Sequence, residues 1–105
     1  MRVTEVRVKV VRNGNDTKLR GYADVTFEGI FVVHGMKIIQ GKDGLFIAMP
    51  SKKTHGGEFK DIAHPITTEL RRELTESIIR EYEMAVSQQI IIEDKMARNI
   101  EAEII

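Results

Sequence analysis

The segment LRGYADVTF, residues 19–27, alternates apolar or small residues with larger polar ones along its whole length. A period of two is typical of a strand that turns one face to a core and the other to solvent. The residues on the core-facing side would be Leu19, Gly21, Ala23, Val25 and Phe27. The segment therefore predicts one strand of an antiparallel sheet.

The flanking segments extend this sheet in both directions. Upstream, Val6, Val8 and Val10 alternate with charged residues, and Asn13–Asp16 has the composition of a tight turn. Downstream, Ile30–Val33 is apolar on both faces, which favours a central strand. Leu45–Met49 predicts a fourth strand, which Pro50 must end because proline cannot donate to a ladder.

The second half of the chain predicts a helix. Glu58–Ala63 is compatible with a short edge strand, and Thr67 or Thr68 can cap a helix that follows it. The apolar stripe of that helix, which must lie on the sheet, is Leu70, Leu74, Ile78 and Tyr82. The predicted fold is α+β: a small antiparallel sheet of about four or five strands, one long C-terminal amphipathic helix packed on it, and a second short helix or extension at the tail.

The tail is predicted to be separate from the domain formed by residues 1–87. Gln88-Gln89 and the β-branched run Ile90–Ile92 are poor helix formers, yet Ile92, Met96, Ile100 and Ile104 recur at a spacing of four. Residues 88–105 are therefore predicted to be a helical extension. Its apolar stripe needs a surface to cover, either the chain's own sheet or another subunit.

Composition limits the class of protein. At 105 residues the chain has room for one modest core, and without cysteine it has neither disulfides nor thiolate chemistry. No apolar run is long enough for a membrane span, and the N-terminus lacks a signal-like segment, so a cytoplasmic protein without membrane contacts is expected.

Formal net charge is zero, but the charges are unevenly distributed. Residues 1–66 carry 11 Lys and Arg against 7 Asp and Glu, whereas residues 67–105 carry 5 against 9. The sheet half is thus basic and the helical half acidic. This asymmetry permits local attraction of nucleic acid without requiring it.

Metal binding and catalysis find little support. His55, Glu58, Asp61 and His64 lie close in sequence, but Asp61 and His64 are three apart in an extended segment, where their side chains point to opposite faces. Ser51 has no histidine and carboxylate at a motif spacing. We expect no enzyme, no metal and no cofactor.

A basic segment remains as the candidate site. Lys52 and Lys53 follow the predicted fourth strand, Lys60 follows in the next segment, and Arg71 and Arg72 lie at the helix start, where free backbone N–H groups suit a phosphate. By composition alone, a solvated charged surface is the simpler interpretation. Aromatic residues that could stack on bases are few: Tyr22, Phe46 and Phe59, each equally compatible with a place in the core.

Three segments resemble the SpoVG (stage V sporulation protein G) family: Val3–Arg7, Gly44–Thr54 and Phe59–Ile66. The resemblance extends from the N-terminus to about Tyr82 and does not cover residues 88–105. It implies a small cytoplasmic bacterial regulator that forms homodimers, binds DNA and RNA, and influences septation, sporulation or gene expression.

For this chain, the resemblance implies that the basic segment is the nucleic-acid site. The residues expected to contact phosphates are Lys52, Lys53, Lys60, Arg71 and Arg72, with Ser51 and Thr54 as hydroxyl donors. Lysines stand after Met49-Pro50-Ser51 where the family usually has an arginine, which disfavours bidentate readout of bases. The alternative is a protein-interaction module of the division septum, with a partner bound through residues 88–105.

Overall fold

The computed structural model describes residues 1–11 and 18–104, with side chains described as far as residue 88. Over these residues the chain forms six strands and one helix. In chain order they are β1 (Val3–Val10), β2 (Leu19–Phe27), β3 (Phe31–Gly41), β4 (Gly44–Ala48), β5 (Ser51–Lys53), β6 (Phe59–Asp61) and α1 (Thr68–Ile104). The α+β class, the antiparallel sheet and the C-terminal helix that the sequence predicted are confirmed. The predicted turn at Asn13–Asp16 lies outside the described residues.

The main sheet is an antiparallel meander in the order β1-β2-β3-β4. The alternation in β2 has the predicted consequence, because Ala23, Val25 and Phe27 are all buried. The β2–β3 turn is tight: Ile30 N–H donates to Phe27 O at 3.0 Å, and Glu28 adopts a φ of 55°. A left-handed residue at this position matches the twist of a short hairpin.

The helix covers one face of this sheet. Leu74 and Ile78 are fully buried against the sheet residues of the core, while Leu70 and Tyr82 pack at its margin, so the predicted stripe is confirmed. Thr67 caps the helix, since Leu70 N–H donates to its Oγ1 at 3.2 Å. A further hydrogen bond, from Val3 N–H to Glu73 Oε1 at 3.2 Å, ties β1 to the helix.

Of the two forms predicted for the tail, a second short helix or an extension, the structure has the extension: α1 continues to Ile104 and includes the β-branched run Ile90–Ile92. One part of the chain differs from the expected structure. The segment after Pro50, predicted as a loop, is strand β5, because Ser51–Lys53 finds a pairing partner in β6. The edge strand predicted within Glu58–Ala63 is present as Phe59–Asp61.

Candidate nucleic-acid interface

The two-stranded sheet formed by β5 and β6, together with the turn between them, is here called the basic ribbon (residues 51–61). Its turn is closed by Thr54 N–H donating to Glu58 O at 2.7 Å and by Gly57 N–H donating to Thr54 O at 3.0 Å. At its base Ile62 N–H donates to Pro50 O at 2.8 Å. These backbone bonds hold the predicted contact residues of segment 51–60 on a hairpin and not on an irregular loop.

The pairing register brings two cations together. Lys52 lies directly opposite Lys60, while Lys53 faces Phe59 and Ser51 faces Asp61. Since side chains directly across from each other share a face of a two-stranded sheet, Lys52 and Lys60 form a like-charge pair. Both are exposed, and neither forms an ion pair with any carboxylate of the described residues.

A shallow groove of about 410 Å³ runs along the ribbon. Its lining residues are Lys52, Lys53, Thr54, His55, Lys60, Asp61 and Ile62. Three lysines against one carboxylate make this groove electropositive. Of the two predicted hydroxyl donors, Thr54 is half-buried and Ser51 is exposed. With Lys52, Lys53 and Lys60, five of the seven predicted contact residues lie on one hairpin.

The two predicted arginines lie elsewhere. Arg71 donates from Nη2 to Pro65 O at 3.3 Å, which directs its guanidinium to the segment before the helix. Arg72 lines a different groove, of about 420 Å³, whose other charged residues are Glu69, Glu73, Glu76 and Arg80. The glutamates make the surroundings of Arg72 acidic, so the two arginines do not share the groove of the ribbon lysines.

The aromatic residues that the sequence left between core and surface are all exposed: Tyr22, Phe46 and Phe59. Phe59 is on the basic ribbon, opposite Lys53. Tyr22 and Phe46 are on the four-stranded sheet. For Tyr22 the signal was present in the sequence, because it occupies a polar-face position of the β2 alternation.

Two of the three histidines, His34 and His64, take part in ordinary polar contacts. His34 Nδ1 lies 3.3 Å from Asp24 Oδ2 on the surface, and His64 Nδ1 lies 3.2 Å from Pro65 O. Over residues whose side chains are described, no three His, Asp or Glu groups gather as a metal site would require.

On β1, the Glu5 carboxylate accepts a hydrogen bond from Arg7 Nε at 2.7 Å and raises the pKa of Arg7.

A second surface feature is an incompletely paired strand. β4 pairs with β3 only over Lys37–Gly41, so along Phe31–Met36 one edge of β3 has no partner among the described strands. Ile30 and Phe31 are 88% and 58% exposed there, and Val32 is exposed as well. An apolar cavity of about 140 Å³ opens beside this edge, lined in part by Met1, Phe31, Val33 and His64. We call Ile30–Val33 with Met1 the apolar edge.

Fold and surface together define a small α+β protein that carries an electropositive β-ribbon and an apolar strand edge. No helix among the described residues is long and apolar enough to cross a membrane. The SpoVG family model matches residues 1–84. The chain belongs to the SpoVG family.

Curated relatives support the same assignment over most of the chain. A protein of Clostridium beijerinckii is 50% identical over 91 residues, which are 87% of this chain and 98% of the relative. A protein of Clostridium kluyveri is 46% identical over 96 residues, covering 91% and 98%. One of Treponema denticola is 51% identical over 83 residues, covering 79% and 87%. Each of the three bears the name "Putative septation protein SpoVG".

Proposed function

We propose that this protein is a regulatory protein of the SpoVG type that binds DNA, RNA or both as a homodimer, acts in the cytoplasm and is not an enzyme. The observation that carries the proposal is the Lys52–Lys60 pair on the basic ribbon. The names of the relatives connect the family with septation, and we extend that connection to this chain as part of the proposal, together with effects on sporulation or gene expression.

The lysine pair supports phosphate binding for an electrostatic reason. Like charges directly across a two-stranded sheet destabilise it, and no carboxylate of the described residues neutralises these two. A phosphate placed between the two ammonium groups would remove that repulsion. Lys53, Ser51 and Thr54 would add a further cation and two hydroxyl donors along the same hairpin.

The kind of recognition follows from the residue types. Lysine makes point-charge contacts and lacks the bidentate fork with which arginine reads guanine. Binding should therefore be weakly selective for sequence and strongly dependent on salt, with the logarithmic slope rising by about 0.9 for each duplex phosphate contacted. In this proposal Arg71 and Arg72 add phosphate contacts at the helix start, away from the ribbon groove.

The test is a salt series of binding to a labelled DNA duplex and to a labelled RNA. The variant Lys52→Glu/Lys53→Glu should bind at least about tenfold more weakly at low salt and show a slope reduced by about 2. Arg7→Ala, which removes an exposed cation of β1 that is already paired with Glu5, lies outside the proposed site and should bind like the wild type. If the wild type binds neither the duplex nor the RNA at low salt, the proposed nucleic-acid binding is wrong.

The homodimer is proposed to form at the apolar edge. Unpaired backbone groups of β3 next to exposed Ile30 and Phe31 are suited to strand pairing with a second copy, which would also cover the adjacent cavity. Sedimentation should give a dimer at micromolar concentration for the wild type and a monomer for Phe31→Glu. A wild type that remains monomeric would contradict this part of the proposal.

The second candidate is a protein-interaction module of the division septum, acting through residues 88–105. It is favoured by the length of α1, which runs 16 residues beyond Gln88, whereas the described helix residues packed on the core end at Tyr82. Under this alternative, truncation after Ser87 would abolish the function in septation and the lysine substitutions would leave it intact.

A further inference from the structure

The face of the four-stranded sheet that α1 does not cover carries three side chains that lie side by side across neighbouring strands. We call this surface the outer face. Tyr22 on β2 pairs with Lys9 on β1 and with Lys37 on β3, so one aromatic ring lies between two lysines across three strands. Their sequence neighbours Ala23 and Ile38 are buried under the helix, and alternation therefore points Tyr22 and Lys37 outward.

A second ring lies on the same face, on the next strand. Phe46 on β4 pairs with Ile39, two positions along β3 from Lys37, and is 48% exposed. Its ring rests on the backbone of Gly41: a Cβ at Gly41 would come within 3.1 Å of Phe46 Cδ1 and 3.2 Å of Cε1. The absent side chain thus gives the ring a place to lie against β3, with its other side open to solvent.

The spacing of the two rings suits two different ligand groups. Tyr22, which is 39% exposed, and Phe46 lie two strands and two residues apart. Strand spacing and rise then give about 12 Å between their Cα atoms, too far for the rings to stack on each other. Each ring is available to a separate planar partner, with Lys37 between them.

The charges of the outer face are divided into two halves. In one half Glu5 accepts from Arg7 at 2.7 Å, and Asp24 accepts from Gly35 N–H at 3.1 Å and lies 3.3 Å from His34. In the other half Lys9 and Lys37 flank the rings and form no ion pair with a carboxylate of the described residues. Cations and open rings thus occur together, apart from the neutralised half.

We infer that the half of the outer face bearing Lys9, Tyr22, Lys37 and Phe46 is a binding surface for unpaired nucleic acid, with bases stacking on the two rings and phosphates near the lysines. Stacking requires base faces that a duplex keeps hidden, so this surface should select single strands. A second copy of the chain fits it poorly, because a two-fold contact centred on this half would bring lysines against lysines.

This surface is separate from the basic ribbon, and the two proposals can fail independently. The experiment measures binding of a short labelled thymidine oligonucleotide and of a labelled DNA duplex, at low salt, to the same set of variants. Tyr22→Ala and Phe46→Ala should each weaken single-strand binding roughly 5- to 150-fold. Duplex affinity should change by less than about twofold.

Conservative variants and a second readout make the test specific. Tyr22→Phe and Phe46→Tyr keep the rings and should retain single-strand affinity, as should Met84→Ala, which removes an exposed apolar side chain from α1. The chain has no Trp and two Tyr. In a Tyr82→Phe background Tyr22 is therefore the emitting residue, and stacking on the oligonucleotide should quench it.

The outcomes separate the two sites. Unchanged oligonucleotide affinity in both alanine variants, or Tyr22 emission that does not respond to saturating oligonucleotide, would overturn the inference. An equal loss for duplex and single strand would also overturn it. If Lys52→Glu/Lys53→Glu leaves duplex binding intact while Tyr22 is quenched by the single strand, the ribbon proposal fails and the outer-face inference stands.

Discussion

At the scale of the residue, Gly21 on β2 is the most closely surrounded of the described glycines. A Cβ added there would come within 2.8 Å of the backbone oxygen of Lys9 and 3.5 Å of Ile38 Cδ1. The first contact is with backbone of the paired strand β1, which cannot yield as a flexible side chain would. The absence of a side chain at this position therefore lets β1, β2 and the core approach one another.

We expect Gly21→Ala to lower the free energy of unfolding by about 1–3 kcal/mol, measured by urea denaturation. Gly56→Ala is the matched control: the nearest atom to its added Cβ is Thr54 Oγ1 at 3.9 Å, so the stability should stay within about 0.5 kcal/mol of the wild type. Equal stability of the two variants would show that β1 shifts to accommodate the methyl group.

At the scale of the element, the lysines of the basic ribbon affect hairpin stability and phosphate binding in opposite ways. The Lys52–Lys60 pair weakens the hairpin and, in the proposed function, creates the phosphate site. One substitution should therefore move stability and binding in opposite directions.

We expect Lys60→Glu to form an attractive cross-strand pair with Lys52 and to favour the hairpin by about 0.2–1 kcal/mol. Protection of the hairpin amides, such as Thr54 N–H, against hydrogen exchange would rise, while affinity for the duplex would fall. Lys60→Gln separates the two effects, since it removes repulsion without adding attraction. Weaker binding together with lower amide protection would indicate that the substitution acts by unfolding the ribbon.

The elements differ in how far the sequence could predict them. Strand β2 and the helix face formed by Leu70 to Tyr82 were predicted correctly, because burial on one face imposes a period on the sequence. Strand β5 was missed because its three residues are all exposed and polar, so only its pairing with β6 makes it a strand. That Lys52 lies opposite Lys60 could not be predicted either, because it depends on the register of that pairing.

At the scale of the whole molecule, the described core ends before the tail begins. Its helix residues are Leu74 and Ile78, with Leu70 and Tyr82 at the margin, and all precede residue 88. The helix of 37 residues, about 55 Å at 1.5 Å per residue, is nearly as long as the 58 Å longest extent of the molecule. Residues 1–87 thus include the described core, the basic ribbon and the outer face.

We expect truncation after Ser87 to leave a cooperatively unfolding domain that binds oligonucleotides with the affinity of the full chain. Thermal unfolding and the same binding series would measure both properties. A loss of cooperative unfolding would mean that residues 88–105 complete the fold. A loss of binding with the fold intact would assign nucleic-acid contacts to the tail.

The hydrogen bond from Val3 to Glu73 joins residues 70 positions apart. During translation, which adds about 5–20 residues per second, β1 is made well before the helix that covers it. β1 can pair with β2 early, but Leu74 and Ile78 must follow before the core can close. The nascent sheet therefore exposes its apolar face on the ribosome for several seconds, and folding is completed only when the helix has been released from the exit tunnel.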